Sequence, residues 1–380
     1  MKTFRIALFT GNYNHIRDGV SLTLNRLVKF LEDAGMDVLV FSPTVDNPAL
    51  KHNGRMVDVP SVSLPGRPEY RMTVSFSKKA KMELETFDPD IIHIATPDFL
   101  GYKALKWAVK NNKIIVSSFH THFTSYLKYY RLQFLEFFAW RYLRWFYSHA
   151  HQIYVPTPSM ADNLKENGFE GDLRIWARGV DTTLFSPSRR DEEWRERQGF
   201  RPEDVVVTLV SRLVWEKNLE IFATTVKRIM EKYSHVKPLV VGAGPARQKL
   251  SEMLPEAVYT GFLTGQDLAK AYASSDIFFF PSDTESFGNV TLEAMSSGLP
   301  CIVADAVGSK SLVDHGKNGY LVPVSAPEQY VCAIADLLED ENLRKGMGEQ
   351  AFLKSQNYSW NQINSTLLSY YKETLNTVHR

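Results

Sequence analysis

The stretch Pro281-Ser-Asp-Thr-Glu-Ser-Phe-Gly-Asn-Val-Thr-Leu-Glu-Ala-Met-Ser-Ser-Gly-Leu-Pro300 decides the fold. It follows the apolar run Ile277-Phe-Phe-Phe280, which reads as a buried strand. Glu285 and Glu293 stand with seven residues between them, around the small loop Ser286-Phe-Gly-Asn289. Val290, Glu293, Ala294 and Ser297 then share one side of a short helix, which Gly298 stops and Pro300 keeps from resuming. The order is strand, loop with a carboxylate, helix start, second carboxylate one turn in. That geometry suits a nucleotide sugar, because free N–H groups at a helix start bind phosphate and sugar oxygens. Glu293 is placed to accept ribose hydroxyls and Glu285 to accept those of a sugar ring. Spacing alone serves a solvated loop with two surface acids equally well.

Upstream, the pattern of strand, turn and helix repeats. Asp204-Val-Val-Val-Thr-Leu-Val210 is a buried strand that runs into Ser211-Arg-Leu-Val-Trp-Glu-Lys217 and a helix from about Asn218 to Lys232, so Arg212 and Lys217 flank one turn. Lys237-Pro-Leu-Val-Val241 meets Gly242-Ala-Gly-Pro245. A dinucleotide turn fails there, since the third glycine of that motif is missing and no acid lies some twenty residues on. Tyr259-Thr-Gly-Phe-Leu263 ends another strand, and Cys301-Ile-Val-Ala304 and Gly319-Tyr-Leu-Val322 finish that sheet. The first half alternates in the same way: Phe4 to Phe9, Asp37 to Phe41, Asp90 to Ile94, Lys113 to Phe119, Gln152 to Val155 and Leu173 to Trp176 are strands. Gly19 opens a helix with Val20, Leu24, Leu27, Val28 and Leu31 on its apolar face. The stretch from Pro187 to Asp204, with five arginines and two prolines, reads as a linker. The alternation predicts two parallel, doubly wound sheets.

A chain of 380 residues with 44% apolar and 23% charged residues supports two domains with ordinary cores. A net charge of +1 argues against a general nucleic-acid binder. Cys301 and Cys332 make no disulfide framework. The start, Met1 to Phe9, is a strand and not a signal peptide, and no window has the roughly 18 apolar residues of a membrane span. These features predict a soluble, cytoplasmic protein. Metal signals are weak. Asp88-Pro-Asp90 lies before its strand, and His120-Thr-His122 finds no third ligand nearby. His149-Ala-His151 repeats that spacing and shows how often it arises.

The Glu285-x7-Glu293 segment, with its continuation Ala294-Met-Ser-Ser-Gly-Leu-Pro300, resembles the signature of retaining GT-B glycosyltransferases of family 4, nearest to mannosyltransferase-like and lipid-glycosylating members. The resemblance extends over nearly the whole chain. It implies two Rossmann-like, doubly wound domains facing a cleft, the GT-B fold. By resemblance, Arg212 and Lys217 clamp the donor diphosphate, Phe262 and Leu263 hold the base by backbone contacts, and His120 contacts the donor sugar at the reacting centre. Ser286, Phe287, Gly288, Asn289 and Val290 line the nucleotide sugar with Glu285 and Glu293. Asp18-Gly19 resembles the Gly-Gly turn near the diphosphate, with Asp in place of the first glycine, which leaves the backbone role to Gly19. Arg178-Gly-Val-Asp181 resembles the family's Asn-Gly-Val-Asp turn.

The expected layout is a first domain over residues 1–186, a nucleotide-sugar domain over 187–357, and a last helix, 358–380, that crosses back onto the first. The expected reaction moves a hexose, with GDP-mannose favoured as donor, to a lipid or glycan acceptor without metal or cofactor. The alternatives are a glycolipid synthase using UDP-glucose or UDP-glucuronate, a sugar-nucleotide epimerase or dinucleotide enzyme on a similar scaffold, and a non-catalytic peripheral membrane protein. Between Phe123 and Tyr147, twelve of 25 residues are aromatic, with Lys128, Arg131, Arg141 and Arg144 interleaved. Such a composition fits either an anionic membrane surface on the inner face or a core helix with snorkelling cations.

Overall fold

The structure, a computed structural model, describes residues 3–64, 67–119, 136–285 and 287–378. It divides into two units, Met1–Ala177 with Asn361–Arg380, and Arg178–Trp360. The first unit holds β1 (Arg5–Phe9), β2 (Asp37–Ser42), β3 (Arg55–Asp58), the antiparallel pair β4 (Ser61–Leu64) and β5 (Arg67–Thr73), then β6 (Ile91–Ile94), β7 (Ile114–Ser118), β8 (Gln152–Val155) and β9 (Leu173–Ile175). Apart from β4 and β5, these strands form one parallel sheet in the order β3-β2-β1-β6-β7-β8-β9.

The helix Gly19–Asp33 buries Leu24, Leu27, Val28 and Leu31 in the core of this unit, the stripe its 3.6-residue period predicts. The helix Trp360–Val378 adds Leu367, Leu368 and Tyr371 to the same core. The Tyr371 hydroxyl lies 2.6 Å from Nδ1 of His93, whose Nε2 lies 2.5 Å from Ser118 Oγ. Burial pushes the His93 imidazole down to about 3, so this core keeps the neutral ring.

The second unit holds β10 (Val205–Val210), β11 (Val236–Val241), β12 (Val258–Gly261), β13 (Ile277–Phe280), β14 (Cys301–Ala304) and β15 (Gly319–Val322). They form a parallel sheet in the order β12-β11-β10-β13-β14-β15. Strands β10, β13 and β14 are buried at every position, which is why they read as unbroken apolar runs.

The charged stretch 187–204 is not a linker. It contains the helix Glu192–Arg197, and Arg195 is 1% exposed. The Arg195 guanidinium donates to the carbonyls of Ser274 (2.7 Å) and Asp204 (2.6 Å) and pairs with Asp276 at 3.0 Å. An arginine so occupied belongs to the interior of its unit.

Candidate active site

The chain lays β11 and β12 on one side of β10 and returns to lay β13, β14 and β15 on the other. The loops after β10 and β13 therefore part company at the carboxyl edge, where open parallel sheets leave a crevice for ligands. Those loops carry Arg212, Lys217 and Glu285.

The loop after β10 is anchored from below. Ser211 N donates to the Val241 carbonyl (3.1 Å), Leu213 N to that of Ala243 (2.9 Å) and Ala246 N to that of Leu213 (3.0 Å). A Cβ on Gly242 would collide with the Ser211 carbonyl, so the Gly242-Ala-Gly-Pro245 turn serves as the bed of this loop. Arg212 sits between two anchored residues. Its side chain is exposed and makes no hydrogen bond or ion pair among the described residues.

The two loops are stitched together. Lys217 Nζ lies 2.6 Å from Glu285 Oε1 and donates to Thr284 Oγ1 at 3.0 Å. The Asn218 carboxamide donates to the Pro281 carbonyl (2.9 Å) and to Asp283 (3.1 Å). Lys217 and Glu285 keep only 19% and 21% of their side-chain exposure, so the pair is largely withdrawn from solvent and its charge-assisted bond is correspondingly short.

The helix Asn289–Ser296 starts from Gly288 at φ +93°, a left-handed turn that glycine adopts without penalty. Gly288 has no side chain with which to cap this start, which leaves its first amides for a ligand. One turn in, Glu293 accepts from the Tyr272 hydroxyl at 3.1 Å. A cavity of about 360 Å³, within the range of small-molecule sites, is lined by Arg212, Gly242, Phe262, Leu263, Val290 and Glu293 among others.

The structure thus brings together Arg212, Phe262, Leu263, Val290 and Glu293 in one cavity, and Lys217 with Glu285 in one ion pair. Phe262 is 73% exposed. Phe287 is 3% exposed with its ring against Tyr358, so its side chain packs into the core and anchors the loop. Gly19 begins its helix in the other unit, where Asp18 and Ser21 cap the start reciprocally. His120 and Ser286 lie outside the described residues. Tyr272, Thr284 and Asn218 were not foreseen; nothing in the sequence separates a buried tyrosine that packs from one that donates.

His120 and His122 lie outside the described residues; the other acids and histidines weighed as metal ligands are otherwise engaged. Asp88 pairs with Lys113 (2.6 Å) and Arg5 (3.1 Å), and Asp90 accepts from Arg5 N. His149 lies 2.8 Å from the Trp145 carbonyl, and His151 faces the Ile115 backbone. Of the aromatic segment, residues 123–135 lie outside the described residues. Its helix Glu136–Tyr147 buries Trp140, Leu143, Phe146 and Tyr147 and exposes Phe137, Phe138, Arg141, Tyr142 and Trp145. Tyr102 on the neighbouring helix Phe99–Lys110 packs on Trp145 at 6.0 Å, and that helix adds Lys103, Lys106 and Lys110. Among the described residues no helix is long and apolar enough to cross a membrane.

Comparison with known proteins gives this geometry a context. Residues 190–354 match the family described as glycosyl transferases group 1, and residues 17–184 match glycosyltransferase family 4. The chain is 32% identical over 377 residues to a GDP-mannose-dependent alpha-mannosyltransferase of Mycolicibacterium smegmatis, covering 98% of each. It is 31% identical over 369 residues to a sulfoquinovosyl transferase of Arabidopsis thaliana, covering 94% of this chain and 71% of that one. In fold it is similar to a sucrose-phosphate synthase from Thermosynechococcus elongatus, with TM-score 0.78, 18% identity, and 98% of this chain and all of that one covered.

Proposed function

The chain belongs to the family 4 glycosyltransferases, and from that membership we propose that it transfers a mannosyl residue from GDP-mannose to a lipid or glycan acceptor with retention of configuration. The observation that carries the reading is the Lys217–Glu285 pair at 2.6 Å, on the same loop as an exposed Arg212 without a side-chain partner among the described residues, at the point where the sheet order reverses. A nucleotide-diphosphate sugar needs cations at its bridging phosphates and acceptors at its hydroxyls, and this crevice offers both. The preference for GDP-mannose follows the names of relatives that are 28–32% identical over 97–99% of this chain.

In the transfer, the bond from the sugar C1 to the phosphate oxygen breaks and an acceptor oxygen bonds to C1 on the same face. The acceptor proton passes to the departing phosphate oxygen, so no protein nucleophile is needed. Arg212, Lys217 and the amides of Gly288 and Asn289 meet the charge that grows on the diphosphate. Glu293 holds the ribose, Glu285 the sugar hydroxyls, and His120 the sugar near C1. The two cations do the work of a metal, so activity is expected to persist in EDTA.

The exposed aromatic ridge Phe137, Phe138, Tyr142 and Trp145, with Arg141 and the lysines of Phe99–Lys110, favours a lipid acceptor met at an anionic membrane surface. The sulfoquinovosyl transferase relative, which by its name moves a different sugar, leaves a glycolipid synthase using UDP-glucose or UDP-glucuronate as the second reading. Incubation with GDP-mannose or UDP-glucose, with and without a diacylglycerol or phospholipid acceptor in vesicles, tests all of this. Lipid-dependent release of GDP together with a mannosylated lipid is expected. Release of UDP alone moves the assignment to the second reading, and epimerised sugar without transfer overturns both.

A further inference from the structure

We propose that Tyr272 is a positioning residue of the nucleotide subsite, its hydroxyl holding the Glu293 carboxylate in the orientation that receives the ribose. The proposal rests on the assignment of Glu293 to the ribose made above.

Tyr272 lies on the helix Gly265–Ala273 and is wholly buried. Its ring is packed between Phe185, edge-on at 5.8 Å, and Phe278 at 6.1 Å. A tyrosine ring has two side-chain torsions, so packing on both sides fixes where its oxygen stands. That oxygen is 3.1 Å from Glu293 Oε2. A carboxylate only accepts, so the phenol donates. Burial, and then the charge of Glu293, push the phenol well above its ordinary range, which keeps it a neutral donor.

Phenylalanine would fill the same space, so packing alone does not call for the hydroxyl. The bond also joins the two walls of the cavity. Leu268 is on the helix of Tyr272, shortly after Phe262 and Leu263, while Val290 and Glu293 are on the facing helix. A glutamate with three rotatable torsions loses freedom when it binds a diol, and a fixed donor on one oxygen removes part of that loss beforehand.

The test uses paired ligands, GDP with 2′,3′-dideoxy-GDP and UDP with 2′,3′-dideoxy-UDP, with dissociation constants measured by calorimetry on the full chain. In the wild-type protein the dideoxy analogue should bind about tenfold or more weaker in the pair that fits the base, as expected for hydrogen bonds to a charged group. Tyr272→Phe should shrink that ratio about three- to tenfold by weakening the ribonucleotide alone, and should raise KM for the donor while kcat is kept. If both nucleotides weaken equally, the hydroxyl only supports packing and the proposal falls. If Glu293→Gln abolishes the ratio and Tyr272→Phe leaves it whole, the proposal falls while the ribose assignment stands. If the wild-type protein shows no ratio, the ribose assignment itself is wrong.

Discussion

The two sheets share a topology and treat their helix starts in opposite ways. In the first unit, the described helix starts with assigned caps are closed by their own side chains: Asp18 accepts from Ser21 N, Ser77 from Ala80 N, Asp98 from Gly101 N and Thr157 from Met160 N. In the second unit, the N-cap residues of the helices that follow β10, β11, β12, β13 and β15 give no side-chain cap among the described residues. Caps do exist there, at Ser186, Asp191 and Asp340, but on helices that do not follow a strand of that sheet. A capped start has satisfied its orphan amides and placed an oxygen where an anion would sit. An uncapped start keeps its partial positive charge for a ligand. The second unit has therefore given up local stability at one edge of its sheet, the edge that carries Arg212 and Lys217.

The largest effect should come from removing the cation that this edge pairs with Glu285. Lys217→Ala should lower turnover by roughly 10² or more, as the loss of one preorganised stabiliser of a leaving charge does. Thermal stability should fall by only about 1 kcal/mol, because Glu285 keeps 21% of its exposure and reaches water once its partner is gone. Steady-state kinetics with and without EDTA check both halves. Activity that vanishes in chelator and returns with manganese would mean that the edge works through a metal and not through its own cations.

Much of this contrast was legible in the sequence, and the reason it was only partly so is physical. Apolar runs such as Ile277-Phe-Phe-Phe280 mark buried parallel strands because both faces are covered, and Gly288 and Gly298 mark the ends of the helix between them. Local signals of that kind survive in a linear reading. The Lys217–Glu285 pair joins residues 68 apart, and only the sheet order makes them neighbours. The arginines and prolines around Arg195 give its stretch the composition of a linker, whereas its partner carbonyl on Ser274 is 79 residues away. Phe287 lies inside the motif, and nothing in a linear reading shows that its side chain is buried while its backbone stays in the loop.

A second way to sharpen the contrast is acid. The folded-state pKa of His93, about 3, is depressed from an ordinary 6.5 by burial. Above pH 6.5 neither folded nor unfolded chain holds that proton, and the full stability is present. Between pH 6.5 and 3 the unfolded chain takes it up and the folded chain does not, so stability falls by about 1.4 kcal/mol per pH unit. His15, also lowered chiefly by burial, acts in the same direction. Both belong to the first unit, which should loosen before the second between pH 6.5 and 5. Hydrogen exchange followed by mass spectrometry should show β6 and β7 opening ahead of β10 and β13. The reverse order would mean that the first unit does not owe its acid sensitivity to these imidazoles.

The smallest effect is the most direct test of the caps. Thr157 caps the helix Pro158–Glu166 in the first unit, its Oγ1 accepting from Met160 N at 3.0 Å. Thr157→Ala should cost about 1 kcal/mol of stability and leave nucleotide affinity untouched. Asn289 is the exposed first residue of the uncapped helix in the second unit. Asn289→Asp puts an acid in the first turn, which should raise stability by about 0.3–1 kcal/mol. The same carboxylate would stand where the diphosphate is proposed to bind, and repulsion worth about 1 kcal/mol even in water should weaken nucleotide binding about fivefold. One substitution should thus lower the melting temperature without touching affinity, and the other should raise it at the cost of affinity. Chemical denaturation and nucleotide titration on the two variants read both signs. If Asn289→Asp stabilises the chain and also leaves GDP and UDP affinity unchanged, the open helix start is not where the phosphates go, and the difference between the two sheets has another cause.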